Sequence, residues 1–320
     1  MTDHRWAQLA ILIGLVCLSI NGCTPLEEIT PTPEQRATAK PTPLPTVAVT
    51  PSPSRPAPTA TGTSVPTSTS EPTPTEVAEE LTITIVYDNN EYNERLETAW
   101  GFSCLVEGPE KTILFDTGGD SAMLLRNMRT LGIAPQDVNV VVISHIHGDH
   151  VGGLAGFLEE NHAVTVYLPQ SFPESIKGAT MDAGAELIEI SSQEVEPVEI
   201  CEDVYSTGEL GDWIKEQSLV IETSQGLVVI TGCAHPGVVN IVRQAKRLTG
   251  GEVYFVLGGF HLGGVSAAEI AGIVEDFQQL GVQRVAPCHC SGDVARRLFE
   301  EAYGEDFIPA GVGSRLEIRE

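Results

Sequence analysis

Residues 145–150 read His-Ile-His-Gly-Asp-His, directly after the apolar run Val138–Ser144 and directly before Val151-Gly152-Gly153-Leu154. This places four candidate metal ligands at the end of a buried strand. On an extended backbone, side chains two apart share a face, so His145, His147 and Asp149 can converge on one site. His150 falls where the chain turns into the next helix. Imidazole nitrogens with a carboxylate suit zinc, and also iron or manganese, with positions left open for water.

Other candidate ligands also fall at strand ends. Ile113–Phe115 stops at Asp116-Thr117-Gly118-Gly119, and Leu227–Thr231 stops at Gly232-Cys233-Ala234-His235-Pro236. Val253–Leu257 stops at Gly258-Gly259-Phe260-His261, and Arg284–Ala286 stops at Pro287-Cys288-His289-Cys290. A rigid strand followed by a loop is where functional side chains gather. No Gly-x-Ser-x-Gly elbow, Gly-x-Gly-x-x-Gly turn or Gly-Lys-Ser/Thr loop appears, which argues against a serine nucleophile and against nucleotide chemistry.

The elements that must position these groups are legible as patterns. Strands are expected at Leu81–Tyr87, Phe102–Glu107 and Lys111–Phe115, the last two joined through Glu107-Gly108-Pro109-Glu110. A helical period covers Ser121–Leu131 and ends at Gly132. Val138–Ile143 is continuously apolar, as expected of a strand buried on both faces. Gly152–Glu159 reads as helix, Val164–Leu168 and Leu187–Ile190 as strands, and Ser218–Glu222 with Leu227–Thr231 as a hairpin. Helix Pro236–Leu248, strand Val253–Leu257, helix Ser266–Leu280, strand Arg284–Ala286 and helix Gly292–Tyr303 follow. The pattern predicts a four-layer αββα body of the α+β class over 81–320, with two packed sheets and helices outside.

The chain has 320 residues and a net charge of −26. Within 81–320, 36 acidic residues face 14 basic ones, so phosphate backbones are repelled and a nucleic-acid partner is not expected. A small-molecule substrate is, because bound cations reverse the local sign. Upstream, Arg5 and the apolar stretch Trp6–Ile20 fit a signal peptide, followed by Ile20-Asn21-Gly22-Cys23. That end resembles a bacterial lipobox, which makes Cys23 the lipidation site; an uncleaved anchor is the alternative. Either way the expected localisation is extracytoplasmic and membrane-anchored. Residues 24–80, with Pro31-Thr32-Pro33 and similar steps, predict a disordered Thr/Pro-rich linker. Five cysteines fall in the body, in no disulfide-scaffold spacing. Trp100 and Trp213 read as pocket-mouth or, more simply, packing residues.

Phe115-Asp116-Thr117-Gly118 together with 145–150 resembles the metallo-β-lactamase superfamily over essentially all of 81–320. Gly232-Cys233-Ala234-His235, Gly259-Phe260-His261 and Cys288-His289-Cys290 resemble its branch labelled 7,8-dihydropterin-6-methyl-4-(β-D-ribofuranosyl)-aminobenzene-5′-phosphate synthase, as do Asp88-Asn89 and Glu216-Gln217-Ser218-Leu219. The resemblance implies two divalent metals, zinc first among the choices and iron or manganese as alternatives. His145, His147 and His235 would hold one; Asp149, His150 and His289 the other. Asp116 would accept a hydrogen bond from a ligand histidine. Many members add a bridging aspartate. Here no Gly-Asp strand end is visible, and Cys233 or His261 stands in that region. For Cys233, Cys288 and Cys290, packing behind the ligands is the simpler expectation. Two close metals lower the pKa of a shared water from about 15.7 towards neutrality, and the hydroxide attacks carbon or phosphorus. Asp149 or His261 would shuttle the proton. The implied activity is hydrolysis of a small ester, lactone or phosphoester. A non-catalytic metal- or ligand-binding lipoprotein, or a di-iron redox enzyme, are the alternatives; the flavodiiron enzymes carry glutamate where this chain has His147.

Overall fold

The computed structural model describes residues 80–319, except residue 109 and residues 193–196. The signal segment, the Cys23 lipid site and the linker expected over 1–79 lie outside the described residues. Among the described residues, no helix is long and apolar enough to cross a membrane.

Two mixed sheets pack face to face. The first carries β1 (Glu80–Tyr87), β2 (Ser103–Glu107), β3 (Thr112–Phe115), β4 (Val140–Val142), β5 (Thr165–Pro169) and β6 (Glu186–Ile190). The C-terminal strand β13 (Arg315–Arg319) pairs antiparallel with β1, giving the order β13-β1-β2-β3-β4-β5-β6. The second sheet runs β12-β11-β10-β9-β8-β7. Its strands are β7 (Val198–Cys201), β8 (Val204–Ser206), β9 (Leu219–Thr223), β10 (Gly226–Thr231), β11 (Val253–Gly259) and β12 (Arg284–Cys288).

The strand period of two sorts side chains between the layers. Val140 and Val142 enter the core between the sheets, where Ile83, Ile85, Val228, Ile230 and Leu257 also pack. Val141 points the other way, under the helices Ser121–Leu131 and Leu154–Glu160, with Leu114 and Phe157. In β10, Leu227 and Val229 likewise face the outer helices Val238–Thr249 and Ala267–Gln279. Both faces being covered, these strands show no polar alternation. Ile230 is fully buried three residues before Cys233, and Ile230→Ala would cost roughly 2–5 kcal/mol. The four-layer αββα sandwich expected over 81–320 is the observed fold.

Strands β3 to β6 are parallel, as are β10 to β12. Their carboxyl ends lie at one rim, as for ligand sites of parallel sheets generally. One helix of more than two turns and three strands were not expected from the sequence. The helix Glu174–Asp182 buries Lys177 and Thr180 on its inner face, and the Lys177 ammonium donates to the Gln170 carbonyl at 2.8 Å and to Glu189 at 2.7 Å. Such a helix has no apolar period to read. β7 and β8 are short strands, β7 at the sheet edge with an exposed glutamate, and β13 is a five-residue terminal strand.

Candidate metal centre

Asp116 organises the rim from the end of β3, with a left-handed φ of 57°. Its Oδ1 accepts from the Ser144 backbone N–H at 2.7 Å, and its Oδ2 accepts from Ser144 Oγ at 2.7 Å. The same Oδ2 accepts from His150 Nδ1 at 2.7 Å. Ser144 Oγ in turn meets His145 Nδ1 at 2.9 Å. One carboxylate therefore fixes His150 directly and His145 through a hydroxyl, which assigns the proton of both rings to Nδ1.

After His147 the chain winds into a helical turn, Gly148–Val151. This corrects the expectation that an extended backbone brings His145, His147 and Asp149 to one point. Helical winding carries Asp149 away from the first two and towards His150 and His289. Its Oδ2 lies 3.7 Å from His150 Nε2 and 3.4 Å from His289 Nε2. The following glycines permit the winding: a Cβ on Gly153 would collide with the Thr117 carbonyl.

His289 arrives from the end of β12, again with positive φ, at 46°. Its backbone N–H donates to Asp88 Oδ2 at 3.1 Å, and its Nδ1 meets Asn89 Oδ1 at 2.9 Å. The Asn89 amide also donates to the His289 carbonyl at 3.2 Å, so one side chain clamps the residue at two points. Asn89 Oδ1 can only accept, which puts the His289 proton on Nδ1. His150 Nε2 and His289 Nε2 then face each other at 3.2 Å as two bare lone pairs. A cation between them, with Asp149 beside it, resolves that arrangement. The donors fit a divalent metal.

A second set closes next to the first. His235 Nε2 and His145 Nε2 lie 3.2 and 3.1 Å from His147 Nδ1. The three ligand atoms fall within 4.8 Å of one another. His145 is buried, whereas His147 and His235 are partly exposed. Burial, aided by the neighbouring imidazoles, holds His145 well below the ordinary histidine range and His235 at about 3. These rings are neutral and their lone pairs available. Burial also opposes charge on His150, but Asp116 outweighs it and draws that ring's value up; Asp116 favours positive charge there, whether proton or cation. Burial likewise opposes the Asp149 carboxylate, yet His289 and His150 hold it below the usual range.

Sequence reading noted Glu216 without giving it a role. Glu216 is buried, and its carboxylate accepts from the backbone N–H groups of Cys233, Ala234 and His235 at 3.0, 2.7 and 2.8 Å. Burial pushes it up to about 7, against the pull of those N–H groups. It shapes the loop that delivers Cys233 and His235. Gly232 lets that loop pass: a Cβ there would run into the Ser144 side chain. Cys233, expected to pack behind the ligands, instead brings Sγ to 3.2 Å from His150 Nε2. The thiol is pushed up by its hydrogen bond with Cys290 and by burial. His261, exposed and at φ 53°, lies tilted against His235 with ring centroids 4.3 Å apart. Its hydrogen bond with Cys290 draws its value up against burial. The simpler packing expectation for Trp100 and Trp213 fails: they are 60% and 97% exposed. Trp100 lies against His289, with centroids 4.9 Å apart. The five cysteines described are all free.

The family model of the metallo-beta-lactamase superfamily matches residues 101–247. A solved metal-dependent hydrolase of the beta-lactamase superfamily is 30% identical, with 75% of this chain and all of that one covered and a TM-score of 0.62. The chain belongs to the metallo-beta-lactamase superfamily. The 7,8-dihydropterin-6-methyl-4-(beta-D-ribofuranosyl)-aminobenzene-5′-phosphate synthase of Methanocaldococcus jannaschii is 29% identical over 269 residues, covering 70% of this chain and 92% of that protein. A metallo-beta-lactamase fold protein of Bacillus subtilis shares the fold at 13% identity, with a TM-score of 0.55 and coverage of 74% of this chain and 99% of that one.

Proposed function

We propose that this chain is a metal-dependent hydrolase acting on a small ester, lactone or phosphoester, held outside the cytoplasm by its N-terminus. The observation that carries the reading is the convergence of His150 Nε2 and His289 Nε2, 3.2 Å apart with each ring's Nδ1 turned to an acceptor, beside the trio of His145, His147 and His235. Two divalent cations, zinc first among the choices, would be held by the trio and by Asp149, His150 and His289. Bound there, they supply Lewis acidity and ease the ionisation of water.

The chain's own groups do the rest. Asp149, ionised and partly exposed, accepts a proton at Oδ2. His261 sits at the open side of the trio, where its imidazole can pass a proton to a leaving group. Trp100, lying over His289, offers a flat wall to a ring-bearing substrate. The acidic body disfavours polyanions, and a small substrate suits it better. The methanogen relative's name adds a phosphorylated, ring-bearing compound to the candidates. Tethering rests on the Trp6–Ile20 run and Cys23; Cys23→Ala should move the protein from the membrane to the soluble fraction.

The test is elemental analysis paired with an ester, lactone and phosphoester panel on the wild type and His147→Ala. Two metal equivalents, with turnover lost in the variant, are expected. Metal bound without turnover across the panel would replace this reading with a ligand-binding one.

A further inference from the structure

We propose that Cys233 is itself a metal ligand, its Sγ shared between the two cation positions as a thiolate. The inference rests on the metal-dependent reading above. Its observation is positional: Cys233 Sγ belongs to two ligand groups at once. One is Asp149, His150, Cys233 and His289; the other is Cys233, His235 and His261, and in each the ligand atoms lie within 4.8 Å of one another. His235 in turn closes the trio with His145 and His147. No other sulfur of the described residues enters such a group.

The backbone delivers the thiol deliberately. Cys233 and His235, two apart, face the rim, while Ala234 between them turns into the core under the outer helices. Ala234 holds φ at 63°, and the Glu216 carboxylate locks all three N–H groups. Cys290 lies beside it, hydrogen-bonded to the Cys233 thiol and with Sγ 3.6 Å from the Cys233 carbonyl, but it enters neither ligand group. Charge points the same way. The trio is neutral and the other set supplies one carboxylate, so two divalent cations in a buried site would keep most of their charge uncompensated. A thiolate removes one of the three positive charges that Asp149 leaves uncompensated. On binding, the S–H bond breaks, its proton leaves to solvent, and the sulfur lone pair goes to the cation. A soft thiolate among imidazoles favours zinc or ferrous iron over manganese or magnesium.

The test loads the full chain with cobalt(II) and follows sulfur-to-metal charge transfer in the near ultraviolet alongside metal equivalents. The band should be present in the wild type and in Cys290→Ser and absent in Cys233→Ser. Cys233→Ser should also hold its second equivalent at least about tenfold more weakly, since a direct ligand matters no less than an outer partner. X-ray absorption on the zinc-loaded wild type, which needs no variant to fold, should show sulfur at about 2.3 Å. Two equivalents bound with neither band nor sulfur shell, or a band that survives Cys233→Ser and vanishes in Cys290→Ser, overturns the assignment. A band intact with no turnover on any substrate would instead sink the hydrolase reading and leave Cys233 a ligand. Absence of any bound cobalt or zinc would overturn both.

Discussion

The two ligand sets differ in how the chain builds them. His145 and His147 come from one short segment and need only His235 from afar, and two of the three rings are partly exposed. Asp149, His150, Cys233 and His289 come from three separated strand ends. There the two histidines are buried, and each has its rear nitrogen held, by Asp116 at 2.7 Å or Asn89 at 2.9 Å. The first set is largely local and open, whereas the second is assembled by tertiary structure and fixed from behind. Outer partners should therefore matter more to the second cation than to the first.

Substitutions behind the ligands can break that contrast. Asp116 stands behind both sets, so Asp116→Ala should do the most damage. It strips Ser144 and His150 of their acceptor in a buried site, a loss of about 3 kcal/mol or more. Tm should fall by roughly 6–12 °C, and neither equivalent should be retained on dialysis; retention of both would show that the rings hold their places unaided. Asn89 touches only His289, so Asn89→Ala should lower affinity for one equivalent by roughly 10–100-fold and leave the other, as read by isothermal titration. Equal weakening of both equivalents would erase the distinction. Ser144→Ala takes one donor from Asp116 and leaves the buried His145 Nδ1–H unpaired, for about 1–3 kcal/mol of stability. Denaturant unfolding should show that loss with metal stoichiometry unchanged. Smallest is Trp213→Ala: at 97% exposure it should shift stability by no more than about 0.5 kcal/mol. A change in KM without a change in Tm would place that ring on the substrate's path.

The layers were legible because burial on both faces writes itself into composition. Val138–Ile143 and Leu227–Thr231 read as strands from apolarity alone, and the helix read over Ser266–Leu280 starts in the structure at a Ser266/Glu269 capping box. The helix around Lys177 was not legible, since a buried ammonium held by the Gln170 carbonyl and two glutamates looks in sequence like a solvated lysine. At the rim, residue types and strand ends pointed to the histidines. Strand spacing put Asp149 with His145 and His147, because a four-residue helical turn leaves no period to detect, whereas the resemblance put it with His150 and His289, where it lies. Glu216 was invisible in its role for a different reason: its partners are backbone N–H groups, which every residue carries.

Among the described residues, four of the five non-glycine residues with positive φ sit at this rim: Asp116, Ala234, His261 and His289. Ala234 is the telling one, because its methyl carries no chemistry and glycine would adopt φ 63° more easily. Glycine there should relax the backbone and raise thermal tolerance, while giving Cys233 and His235 a wider range of attitudes. Selection for robustness and selection for a fixed pair of donors would then pull this one position in opposite directions, which makes residue 234 the place to look when a hardier variant turns out to be a poorer one.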